Sequence, residues 1–248
     1  MLQKVLPIVG LVILSVTGWR AVSGQTPGLP TLEPQEGIFI TPVAGQPLSA
    51  TVTIEAKREL NDGSLWQRRA TSLIARDSQG RIHNEAHAFV PLGLDRESAL
   101  MSVHIYDPQT RLNTFLSPYT HVARQRTLLQ EPAMAPPANW AQMDQRFHPS
   151  PNVQLEDLGT QTMEGFYVHG YRRRNTYDAQ STGTGRSIVV TDEYWYAEEI
   201  RLNLLEKHND PRRGDFTTTV TQVNRTEPAG ELFLVPAGYR VVDVTPEN

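Results

Sequence analysis

A chain of 248 residues with 39% hydrophobic and 20% charged side chains holds enough apolar material for a packed core and too little charge bias for disorder. Its formal net charge of -4 lacks the basic excess that phosphate neutralisation requires, so nucleic acid is not an expected partner. With no cysteine, the composition excludes disulfides, thiolate metal sites, cysteine nucleophiles and a lipid-modified N-terminal cysteine.

Met1 to Gly24 reads as a secretory signal, with Lys4 as the positive n-region, Val5 to Val16 as the apolar h-region and Ala21-Val22-Ser23-Gly24 as the cleavage site. The apolar run contains Pro7 and stops at Trp19-Arg20, short of the roughly 20 residues a membrane span needs. Cleavage before Gln25 is therefore expected over retention as an anchor. It leaves no transmembrane span and a periplasmic or secreted protein. Gln25 to Leu48 follows as a Pro- and Gly-rich N-terminal arm, and residues 49–248 are expected to form one β domain.

Ser49 to Lys57 alternates strictly, with Val52, Ile54 and Ala56 on one face, which is the period of a half-buried strand. Asn61-Asp62-Gly63-Ser64 turns the chain into a returning strand, Leu65 to Arg76, and Asp77-Ser78-Gln79-Gly80 turns it again into Arg81 to Val90. Leu100 to Tyr106 and Arg111 to Leu116 pair across Asp107-Pro108-Gln109-Thr110, and His121 to Leu128 adds a further strand. Residues 130–151 carry five prolines among Trp140, Met143 and Phe147. They are expected to pack as a surface flap with a helical turn near Trp140 to Asp144.

Leu158 to Val242 has the densest β signal in the chain, and no stretch after the signal segment shows a long run at helical spacing. A helical turn is expected at Thr226 to Leu232, with the Thr226 hydroxyl as its cap, and Val235-Pro236-Ala237-Gly238-Tyr239 as the corner into the last strand. The fold expected is mainly β, a single curved antiparallel sheet with short helical turns.

Two sets of residues could carry function. His83, Glu85 and His87 fall at alternate positions of one strand, so two imidazoles and a carboxylate project from one face and could ligate zinc for a metal-dependent hydrolase. The competing reading is a solvated strand face. Tyr194, Trp195 and Tyr196, with Tyr167, form an aromatic concentration that could wall a groove for an apolar ligand, while Arg172 and Arg174 could grip an anionic headgroup. Core packing and solvated arginine stems explain the same residues without a ligand. The acids Asp192-Glu193 invite a glycosidase reading, but neighbours on a strand point to opposite faces and cannot share one substrate. Thr182-Gly183-Thr184-Gly185 lacks the spacing of a nucleotide loop, and no nucleophile elbow is present. No catalytic residue and no cofactor is called for.

The segments LGTQTMEGFYVHGYRR, DEYWYAEEI, KHNDPRRGD, VNRTEP and LFLVPAGYRVVD, with RDSQGR at Arg76 to Arg81, resemble an uncharacterised family of exported proteins common in acidobacteria, over about Ser49 to Asp243. That resemblance implies no activity and no catalytic residues. The order of strands is similar to the unclosed β-barrel of the LolA, LolB and RseB-like class, a half-barrel whose sheet offers a groove to acyl chains or a partner peptide. The chain departs from LolA in lacking clear helices to line that groove. Together these features point to an exported, non-enzymatic binding or scaffold protein. Its expected partner is a lipid, another hydrophobic ligand or a cell-envelope protein.

Overall fold

The computed structural model describes residues 40–94, 96–129 and 151–245. The signal-like segment, most of the N-terminal arm and the proline-rich 130–150 stretch, with its expected turn near Trp140, lie outside the described residues.

Thirteen strands join one sheet: β1 (Leu48–Glu59), β2 (Leu65–Arg76), β3 (Ile82–His87), β4 (Val90–Pro91), β5 (Leu100–Asp107), β6 (Leu112–Ser117), β7 (Val122–Thr127), β8 (Val153–Met163), β9 (Phe166–Tyr177), β10 (Ile188–Ala197), β11 (Leu202–Asp210), β12 (Gly214–Asn224) and β13 (Arg240–Asp243). Their order is β13-β7-β6-β5-β3-β2-β1-β12-β11-β10-β9-β8, with β4 paired to β2 off this path. Among the described residues β8 and β13 do not meet, so the sheet is open. Every pairing is antiparallel except that of β13 with β7, which is parallel.

The hairpins follow from their turn residues. Asp62 accepts from the Ser64 N–H, Asp77 from the Gln79 N–H and Asp107 from the Gln109 N–H, three turns in which a short acid replaces a missing backbone partner. The span Arg81 to Val90, expected as one strand, divides in two. β3 pairs with β2 only from Ile74 to Arg76, and the register slips at Ala86/His87 against β5. The chain then leaves the ladder and returns as β4 to fill the open flank of β2 at Arg68 and Arg69.

Two apolar clusters hold the sheet. The larger takes the alternating residues Leu48, Ala50 and Val52 of β1 with Ile74, Ile82, Tyr106, Val168, Leu204 and Val220. The second, Ala75, Val103, Ile105, Leu116 and Ala123, is covered by Phe233, with Leu232, Val235 and Tyr239 at its margin. Phe233 ends a single 3-10 turn, Gly230–Phe233. This is the expected helical turn, but it begins at Ala229 without any side-chain cap. Thr226 sits outside it, and its N–H bonds back to Asn224 Oδ1. The segment after β12 is thus a strap across one face. Glu227 accepts from Ser78, Arg81 lies 5.1 Å over the Phe233 ring, and Tyr239 stacks on His121 before β13 adds to the edge.

Arg76 joins distant parts of the sheet. It is fully buried and donates to the carbonyls of Thr41 (2.8 Å), Gln46 (2.7 Å) and Ile200 (3.0 Å). In ladder order β1 and β12 separate its strand from β11, about 14 Å for three spacings of a flat sheet, so direct contact with the β10–β11 turn requires this end of the sheet to curve strongly. Burial, with Arg201 nearby, lowers the pKa of its guanidinium to about 10.

Candidate functional site

The expected ligand-binding residues lie on β9 and β10, where regular antiparallel pairing sets Tyr171 opposite Tyr194, Arg173 opposite Asp192, and Arg172 opposite Glu193. β11 continues these rows with Glu206, His208 and Lys207. Two polar ladders result, one on each face of the same strands.

On the first face Asp192 is buried and accepts from Arg173 (2.7 Å) and from His208 Nδ1 (2.6 Å). Burial works to raise its pKa, but the hydrogen bonds from His208 and Arg173 outweigh it and hold the carboxyl below its usual range. Beside this row Tyr171 and Tyr194 stack at 5.1 Å, and burial pushes both phenols well up. Glu206 completes that row. Burial and the neighbouring Asp192 raise its pKa, and only the Asn203 side-chain amide (2.8 Å) opposes them.

On the second face Glu193 accepts from Arg172 (2.7 Å), Trp195 Nε1 (2.9 Å) and Lys207 (3.0 Å). Burial again acts upward, yet these three donors bring its pKa down to about 2. Trp195 lies flat on Gly170, where a Cβ would stand 2.6 Å from the ring; only glycine leaves the indole this place.

The six expected contact residues do not form one surface. Tyr196 is buried on the face of Tyr194, while the partly buried Trp195 packs against the larger core on the other face. Arg172 bridges Glu156 and Glu193, and Arg174 lies 3.4 Å from Glu156. Tyr194 is half-buried on Tyr171. Tyr167 is 83% exposed, near the opposite end of β9 from Arg174. Two clefts, of about 580 Å³ and 140 Å³, lie elsewhere, at the β1–β2 and β11–β12 turns and beside β4, and none of the six lines either.

His83, Glu85 and His87 do come together. Glu85 lies 3.4 Å from His83 Nε2 and 2.8 Å from His87 Nε2, and it also accepts from the Leu73 N–H. Burial raises its pKa, but these bonds prevail and lower it to about 2. The other ring nitrogens reach backbone carbonyls, His83 Nδ1 that of Leu232 (2.7 Å) and His87 Nδ1 that of Ser98 (2.8 Å). Since a carbonyl only accepts, each Nδ1 carries a proton there. The trio is partly covered by the strap rather than a solvated face. Among the described residues no group of three or more His, Asp or Glu is arranged to hold a metal ion.

No family model and no curated protein matches the chain. Among solved structures it is similar to an uncharacterized conserved protein from Thermus thermophilus, at 12% identity and a TM-score of 0.42, over 80% of this chain and 91% of that one. It is also similar to a chain of the Pseudomonas aeruginosa MucA/MucB complex (14%, TM-score 0.40), covering 80% of this chain but only 59% of that one. A LolA superfamily protein from Nitrosomonas europaea aligns over 77% and 90% of the two chains at 8% identity, with a TM-score of 0.31. These likenesses concern the fold alone, and the open half-barrel sheet stands on the pairing described above. The resemblance to exported acidobacterial proteins gains no family model.

Sequence reasoning missed His208, Lys207 and Glu206. They follow β10 after a turn, and no local spacing marks them. The signal lay in the register across β10 and β11, which includes a shift at Trp195/Tyr196.

Proposed function

We propose that the chain is an exported, non-enzymatic binding or scaffold protein whose open sheet receives a lipid, another hydrophobic ligand or a cell-envelope protein. The observation that supports this reading is the sheet itself, which spans thirteen strands and leaves β8 and β13 unjoined, as a surface for a partner would. Tyr194 and Tyr167 are the aromatic contacts this reading assigns to one face of the sheet, with the buried Tyr196 beside them; Arg172, Arg174 and Trp195 stand on the opposite face, where the arginines serve Glu156 and Glu193. The signal-like N-terminus supports a periplasmic or secreted location. Among the described residues no helix is long and apolar enough to cross a membrane.

The test is to recover the processed chain from the periplasm of a Gram-negative host and examine it by native mass spectrometry. A lipid-sized adduct, lost in Tyr194→Ala, is the expected result. A chain free of adduct that also fails to bind a fluorescent fatty acid and captures no envelope protein overturns the proposal.

A further inference from the structure

The antiparallel pairing sends the two ends of the sheet to different chemistry. The turns at residues 60–64, 118–121 and 211–213, with residues 92–94, gather at one end, since β2 starts where β1, β3 and β6 finish. Six exposed large apolar side chains are there, Leu65, Leu92, Leu94, Met101, Phe115 and Tyr119, with Leu94 at 54% and Tyr119 at 64% exposure. They are tied to one another and to the sheet. Tyr119 Oη donates to Met101 Sδ (3.2 Å), Phe115 stacks on His104 at 4.5 Å, and the Leu92 N–H bonds to the Gln67 carbonyl.

The same end carries arginines on β1, β2 and the β11–β12 turn. Arg58 and Arg68 lie 5.9 and 5.2 Å from the Trp66 ring, and among the described residues no ion pair is formed by them, by Arg69 or by Arg213. Several acids of this end are committed inside the protein: Asp62 to Ser64, Asp210 to Arg212 and Asp215 to Asn209. Glu55, Glu59 and Glu97 remain as countercharge, so the end is amphipathic rather than strongly basic.

We propose that this end of the sheet docks on an anionic phospholipid bilayer, its leucines and aromatics entering the interfacial layer while Arg58, Arg68, Arg69 and Arg213 meet headgroup phosphates. A bilayer fits better than a peptide held in a groove because these side chains come from strands and loops alike and, of the six, only Leu92 lines a cleft, so a broad soft surface can meet them together. Docking needs no bound ligand, so it goes beyond the binding reading above and stands or falls separately from it.

Vesicle co-sedimentation tests it, using the processed chain with phosphatidylcholine vesicles that contain or lack about one-third phosphatidylglycerol. Sedimentation is expected with the anionic vesicles and is weaker without phosphatidylglycerol or at high salt. Leu92→Asp with Leu94→Asp reduces binding roughly tenfold, and Arg68→Glu with Arg69→Glu several-fold. Val244→Asp, at the opposite end of the sheet, leaves it unchanged. All substituted positions except the half-buried Arg68 are exposed, and circular dichroism verifies folding. No sedimentation with anionic vesicles, or an equal loss in Val244→Asp, overturns the proposal, as does capture of a protein partner by a chain that ignores vesicles.

Discussion

Strands β9 to β11 and strands β3 to β7 both carry polar side chains that the sheet must bury, and they bury them in different ways. In β9 to β11 the two buried acids of β10 face bases across the ladder, Asp192 with Arg173 and His208, Glu193 with Arg172 and Lys207. In β3 to β7 the strap carrying Phe233 covers one face, and its Leu232 carbonyl receives the His83 ring. The ladders need only neighbouring strands, so the first region is self-sufficient. The second depends on a segment from the far end of the chain. Coverage by a strap is an apolar contribution, whereas the ladders depend on the ionisation of their carboxylates.

The largest test of that difference removes the cover. Phe233→Ala is expected to cost about 3 kcal/mol in urea unfolding. Amide exchange should quicken in β13 and β7 while β9 to β11 keep their protection. Equal loosening of both regions would show that they unfold as one unit.

Acid strikes the other region. Glu193 has a folded pKa near 2 against an ordinary value of 4.5, so its stabilisation is fully present above about pH 4.5 and disappears as pH falls toward 2. Because Lys207 is half exposed, solvent screening limits this contribution to on the order of 1–2 kcal/mol. Glu193→Gln should flatten that part of the stability profile, measured by denaturation at a series of pH values. Glu85, also held near 2, contributes in the same window and remains in that variant.

The smallest effect has the opposite sign. Glu206 is raised by burial, so its carboxyl favours the fold when protonated and opposes it as pH rises through the folded pKa. Glu206→Gln should raise the neutral-pH Tm by a few degrees and change little in acid. A lowered Tm at neutral pH would show that the charged carboxylate supports the stacked tyrosines.

Much of the sheet was legible because hairpins are local. Alternation at Val52, Ile54 and Ala56 fixed the first strand, and the acids at Asp62, Asp77 and Asp107 marked its turns and the next ones. The candidate site was less so. Tyr194 to Tyr196 stood out as an aromatic run, but alternation alone does not tell a wall from a core, and packing assigns Trp195 and Tyr196 to the interior. The single strand expected over Arg81 to Val90 broke because β2 outlasts β3, a matter of two strands' relative lengths.

By itself the sequence determined a β protein of antiparallel hairpins, since side-chain period and turn chemistry act over a few residues. The tertiary structure alone decided the open order of thirteen strands, the parallel pairing of β13 with β7, the partners of Asp192 and Glu193, and the contacts of Arg76 with Thr41 and Ile200. Each of these joins residues far apart in the chain, through register shifts and a strap whose position depends on what it covers.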